Sequence, residues 1–167
     1  MPQFDDDEDL LWEEEDEEQA EVEEDSNELD ELIAEVDELS DTGQFRKAVR
    51  QWRRSIDRFS DEPRAYHHYG LTCFRLLEEE AAYQPNWDTE PSLVGLYEEA
   101  SGALEEAVNL EEDNFEAWNI LGALYALREN YREAIGAWER SLAIEPNQEQ
   151  VREDLETVRH RFGKDRE

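Results

Sequence analysis

The adjacent histidines His67 and His68 and the single cysteine, Cys73, are the residues whose types could do chemistry, and that chemistry would be metal ligation. Their spacing argues against it. Neighbouring residues on a helix point roughly 100° apart, so the two imidazoles do not converge on one ion. No second cysteine or carboxylate stands at ligand spacing to complete a set. There is no Ser-His-Asp arrangement, no glycine-rich phosphate loop and no H-E-x-x-H. With 48 acidic residues, paired carboxylates occur everywhere and single out no site. The expectation is therefore no catalytic residue, no metal and no cofactor.

Recognition is a better use of the unusual residues. Arg46, Lys47, Arg50, Arg53, Arg54 and Arg58 crowd one segment of an otherwise acidic chain. Arg46, Arg50 and Arg54 fall at i, i+4 and i+8, so they share one side of a helix. Such a side is either solvated among nearby acids or a dock for an acidic segment, from a partner or from this chain itself. Trp87 sits between Pro85 and Pro91, where it either anchors a partner or folds back over a helix edge. Trp12 interrupts a run of acids together with Phe4, Leu10 and Leu11, a pattern typical of segments that dock a few apolar anchors.

Charge divides the chain. Residues 1–45 hold 22 acids and no lysine or arginine, whereas residues 46–167 hold 26 acids and all 16 bases. The tail, residues 1–28, therefore reads as an acidic disordered segment. Acid excess with few lysines also suits a salt-adapted protein, but the concentration of glutamate in one tail favours a specific role. So negative a chain repels phosphates, which argues against nucleic acid as a partner. No apolar run approaches 18 residues, which argues against a membrane span. A lone cysteine and no visible secretory leader fit a reducing cytoplasm.

The elements follow from periodicity. Residues 115–148 read Phe-Glu-Ala-Trp118-Asn-Ile-Leu121-Gly122-Ala-Leu-Tyr125, then Tyr131, Ala134, Trp138 and Pro146. Leu121, Tyr125 and Ala134 lie on apolar stripes of two helices, with Glu129 and Asn130 at the turn between them. Gly122 and Ala134 let the helix backbones approach. This spacing resembles the tetratricopeptide repeat, W-x2-L-G-x2-Y then A-x3-F then P over 34 residues, with Trp138 in place of Phe. Phe45, Ala48 and Trp52 repeat the second-helix pattern in residues 29–62. Tyr66, Tyr69, Gly70 and Cys73 repeat the first-helix pattern in residues 63–114. Gly70 and Gly122 are 52 positions apart, so the second repeat carries 18 extra residues, placed within 76–96. Thr89 is a plausible N-cap for the helix that follows. Val151, Leu155, Val158 and Phe162 form the apolar stripe of a last helix, 148–162, with Gly163 as its stop.

The resemblance implies an all-α solenoid of three helical hairpins over 29–163, closed by a capping helix. It further implies a concave groove lined by Ile33, Asp37, His67, Leu71, Phe74, Asn119, Ala123 and Ala126. Such a groove suits an extended peptide or a partner helix. Arg46, Arg50 and Arg54 belong to a second helix and are expected on the convex side, in contact with the acidic tail. Trp118 and Trp138 are expected in the core. Members that bind heat-shock chaperone C-termini use a clamp of Lys, Asn and Arg. The matching positions here are Ile33, Asp37, His68, Glu116 and Ile120, none of them cationic at neutral pH, so that partner is expected to be excluded. The function implied is a protein-binding adaptor, such as a chaperone or assembly factor; the alternative is an acidic nucleic-acid mimic that sequesters a basic protein.

Overall fold

Proline and asparagine set several of the helix starts. In the computed structural model, which describes residues 27–84 and 86–164, α1 covers 27–41, α2 Phe45–Ser55, α3 Pro63–Ala81, α4 Pro91–Leu110, α5 Phe115–Leu127, α6 Tyr131–Ile144 and α7 Glu149–Lys164. Short 3-10 turns occupy Ile56–Phe59 and Trp87–Thr89. Pro63 and Pro91 open α3 and α4, where the missing N–H has no intrahelical partner to lose. Asn114 caps α5 by accepting a 2.9 Å hydrogen bond from the Ala117 N–H. Thr89 does not cap α4; its hydroxyl donates back to the Asn86 carbonyl, and Glu90 holds the cap position. Gly163 does not stop α7, which continues through Lys164. Residues 1–26 of the acidic tail, Trp12 included, lie outside the described residues, and residues 27 and 28 begin α1 rather than belong to the tail.

Successive helices pack as antiparallel hairpins, α1 with α2, α3 with α4 and α5 with α6, and α7 lies on the last pair. The long α3 and the early start of α4 absorb the extra residues of the second repeat. No strand occurs among the described residues. One core runs from Leu29 through Val36, Trp52, Leu77 and Leu104 to Leu124. A second, smaller one joins Ala134 and Trp138 of α6 to Leu155 and Val158 of α7.

Two glycines set the hairpin spacing. A Cβ on Gly122 would lie 2.3 Å from Trp138 Nε1 and 2.4 Å from its Cδ1. A Cβ on Gly70 would lie 2.5 Å from Leu104 Cγ. Each glycine is thus a slot for the large side chain of the facing helix. Trp138 fills its slot at 4% exposure, and its indole N–H donates to the Asn119 carbonyl at 3.1 Å.

Trp118 packs against the core as expected but at its edge. Its ring is only half-buried, its N–H reaches the Glu112 carbonyl at 3.0 Å, and Arg140 lies over it at 5.1 Å. An exposed cation–π contact is worth about 0.5–1 kcal/mol and a hydrogen bond about 1 kcal/mol. With the part of the side chain that packs against the core added, Trp118→Ala should lower stability by about 2–3 kcal/mol, less than for a fully buried tryptophan, measured as a shift in the urea midpoint. A loss as large as that of a fully buried tryptophan would contradict this placement.

Candidate functional site

The first helices of the pairs stand side by side, joined by polar contacts across the repeats. His68 Nδ1 on α3 lies 3.8 Å from Asp37 Oδ1 on α1, and Arg64 pairs with Asp30 at 2.6 Å. Asn114, at the start of α5, approaches His67 Nδ1 at 3.3 Å. His67, Leu71 and Phe74 are spaced i, i+4, i+7 on α3, and all three are half-buried. They form the middle of an inner surface whose centre is apolar. Arg64, His67, His68, Asn114 and Phe115, with the acids Glu111, Asp113 and Glu116, line a hollow of about 360 Å³ at one end of it.

Not every groove candidate faces this surface. Ile33 is 8% exposed and belongs to the core of α1. Asp37 is exposed beside His68. Asn119 is engaged by Gln148, to whose Oε1 its amide donates. Gln148 in turn donates to the Ser141 hydroxyl and to the Glu145 carbonyl, which ties the start of α7 to the end of α6. Ala123 and Ala126 pack against the α6–α7 cluster, so the capping helix takes up part of the third repeat's inner face. The available surface is therefore centred on α3.

Burial pushes both His67 and His68 below the ordinary imidazole range, the first helped by its neighbour His68 and the second opposed by Asp37. Glu116 from α5 pulls both upward, and Arg64 and Arg75 add to the depression at His68. The unfolded chain thus takes up these protons more readily than the folded one. Stability should be complete above about pH 6.5 and fall as the pH drops from there through the depressed folded values. Thermal melts between neutral and mildly acidic pH should show this loss, and His67→Gln with His68→Gln should flatten it. An identical slope in the double variant would contradict the assignment.

Cys73 is fully buried, and desolvation pushes its thiol up, away from the reactive thiolate. No group of three or more metal-ligating side chains occurs among the described residues. No helix among them is long and apolar enough to cross a membrane.

The outer side presents a second candidate surface. Arg46 reaches Glu80 at 2.8 Å through its Nε, and Arg53 makes two 3.0 Å bonds to Glu99. Tyr69 also donates to Glu99, at 2.9 Å. Arg46, Arg50 and Arg53, not Arg54, line the hollow between α2 and the start of α4. Helical phase explains the substitution: i+7 returns to within about 20° of the starting direction, whereas i+8 lies about 80° away. Trp87 does not stand out as an anchor. It is 8% exposed and packs against Tyr97, with ring centres 6.0 Å apart, so the tip of the insertion folds back over α4. The exposed aromatic of the insertion is Tyr83, at 84%. Sequence reasoning missed it because nothing in its neighbours distinguishes it from a helix-end residue.

Two family models, both described as tetratricopeptide repeat, match residues 115–148 and 33–84, together just over half of the chain. The chain belongs to the tetratricopeptide repeat family. No curated protein gives a significant match. Among solved structures, it is similar to the first such domain of Spaghetti (RPAP3) bound to the HSP90 peptide SRMEEVD. There the TM-score is 0.66 at 18% identity, over 81% of this chain and 93% of that one. The second domain of human RPAP3, in complex with the HSP70 peptide SGPTIEEVD, gives 0.61 at 16% identity over 77% and 92%. The Sgt2 domain from Aspergillus fumigatus gives 0.64 at 18% identity over 83% and 82%. At these identities the likeness establishes the fold.

The comparison corrects the exclusion of chaperone C-termini. Two of these similar domains hold HSP90 and HSP70 peptides, so the absence of clamp residues at five positions is too narrow a ground for excluding heat-shock chaperones as a partner class. Those five positions also miss Arg64 and Asn114, which stand with His67 and His68 at the end of the inner surface.

Proposed function

We propose that the chain is a protein-binding adaptor that receives an extended peptide or a helix on the inner face of α3. The observation that carries this reading is the half-buried row His67, Leu71 and Phe74, with hydrogen-bond donors gathered at one end. Apolar side chains of a partner would lie on Leu71 and Phe74, while Arg64, Asn114 and the histidines would receive a carboxylate or backbone carbonyls. The acids Glu111, Asp113 and Glu116 around the same hollow would limit how much negative charge a partner places there. Chaperone C-terminal peptides fall within this class because they combine apolar and acidic residues.

SRMEEVD and SGPTIEEVD are suitable first probes, titrated into the full chain and followed by backbone NMR. Shifts gathered at 67–75 and 114–119, and lost in Leu71→Glu, would support the reading. Binding that is unchanged in Leu71→Glu and Phe74→Ser would place the ligand elsewhere and contradict it.

A further inference from the structure

The surface between α2 and the insertion is a cleft with a strongly basic wall. α2 carries Arg46, Lys47, Arg50, Arg53 and Arg54 and no acid. Two adjoining hollows, of about 420 and 490 Å³, share Arg46, Arg50 and Glu80 and so form one continuous cleft. Its floor is apolar, formed by Val49, Leu76, Leu93 and Leu96. Tyr83 stands at its rim, 84% exposed. Glu80 and Glu99 already neutralise Arg46 and Arg53. Arg50 lies at the middle of the cleft with no ion pair among the described residues. Glu79 and Glu90 stand on the lining as well, at its edges, so the cleft offers Arg50 and Lys47 above an apolar floor, beside an exposed aromatic.

We propose that residues 1–26 of the same chain dock in this cleft, with Leu10, Leu11 and Trp12 on the floor and the flanking acids around Arg50 and Lys47. Residues 1–26 hold 15 acids and no base, the complement of α2. The geometry permits it. The described chain begins at Asn27, and Glu28 pairs with Arg58, which fixes that end just beyond the C-terminus of α2. The cleft lies toward the N-terminus of α2, on the order of 20 Å away along the helix. Residues 13–26 span roughly 45–50 Å when extended, so Trp12 reaches the cleft with slack. Tethering holds the tail near the cleft at an effective concentration on the order of millimolar. Exposed charges are screened over about 8 Å at physiological ionic strength, so the contact weakens with salt while its apolar part persists. This docking uses the outer side and leaves the inner face of α3 open.

The test uses the full chain with a nitroxide on Gln3→Cys, since buried Cys73 is not available to the reagent. Amide peaks of 44–50 and 92–96 should lose at least half their intensity at low salt, while those of 132–136 on α6 keep theirs. Arg50→Glu should restore the lost peaks, and so should Leu10→Ser, Leu11→Ser and Trp12→Ser made together. The triple change lies outside the helical domain and does not affect its folding. No loss of intensity, a loss equal to that at 132–136, or a loss indifferent to both sets of substitutions would overturn the proposal. So would broadening in a mixture of spin-labelled and isotope-labelled chains, because the occupant would then be a second copy.

Discussion

Trp138→Ala should lower stability by about 3–5 kcal/mol, the range for deleting a large buried aromatic. The indole is 4% exposed, lies in the slot that Gly122 leaves open, and donates its N–H across the hairpin to the Asn119 carbonyl. Removing it opens a cavity between α5 and α6 and takes away the contact that holds α7 through Leu155 and Val158. Gly122→Ala should destabilise through the same contact from the other side, by about 1–3 kcal/mol, because the indole is rigid and walled in. The two sites are therefore coupled. In a Trp138→Leu background, Gly122→Ala should cost measurably less than in the parent. Urea titrations of the four chains give the coupling. Additive losses would show that glycine and tryptophan do not share one slot.

Trp52→Ala should cost a similar amount, about 3–5 kcal/mol, because Trp52 is fully buried between the first and second hairpins. Its ring centre lies 6.3 Å from that of Tyr69. Its indole N–H differs from that of Trp138 in having no hydrogen-bond partner among the described residues. An unsatisfied buried donor carries a penalty of about 1–3 kcal/mol, which phenylalanine removes while keeping part of the ring. Trp52→Phe should therefore be much milder than Trp52→Ala, whereas Trp138→Phe, which loses a made hydrogen bond, should not be so well tolerated. Melts of the four variants decide the matter. Equal losses for Trp52→Phe and Trp138→Phe would show that the two indoles are held alike.

The hairpins were legible because their determinants are local. The spacing of Ala134 and Trp138 recurs in Ala48 and Trp52, that of Leu121 and Gly122 recurs in Tyr69 and Gly70, and Pro91 opens a helix after a loop. The insertion could be placed by the same register, since Gly70 and Gly122 are too far apart for one repeat. What the sequence obscured depends on contacts between elements distant in the chain. The position of Trp87 between Pro85 and Pro91 leaves open whether it anchors a partner or folds back, and the contact with Tyr97 of the next helix decides for folding back. Trp118 occupies a signature position yet remains half-solvated, because it packs at the edge of the core with Arg140 of the facing helix over its ring. Arg54 was grouped with Arg46 and Arg50 by spacing, while helical phase brings Arg53 there. Ala123 and Ala126 fall at groove positions of the repeat, but the α6–α7 cluster covers them. The donors at the end of the inner face come from three segments, so no single motif displays them.

A partner seated on the inner face of α3 should be captured by a photo-crosslinking amino acid placed at Phe74, and not by one placed at Arg132 on the outer helix α6, in otherwise unaltered chains in their native cells. The expected result is a discrete adduct from Phe74, none from Arg132, and loss of the Phe74 adduct when Leu71→Glu is added, with the melting temperature preserved. Adducts from Arg132 alone, or a Phe74 adduct indifferent to Leu71→Glu, would contradict it.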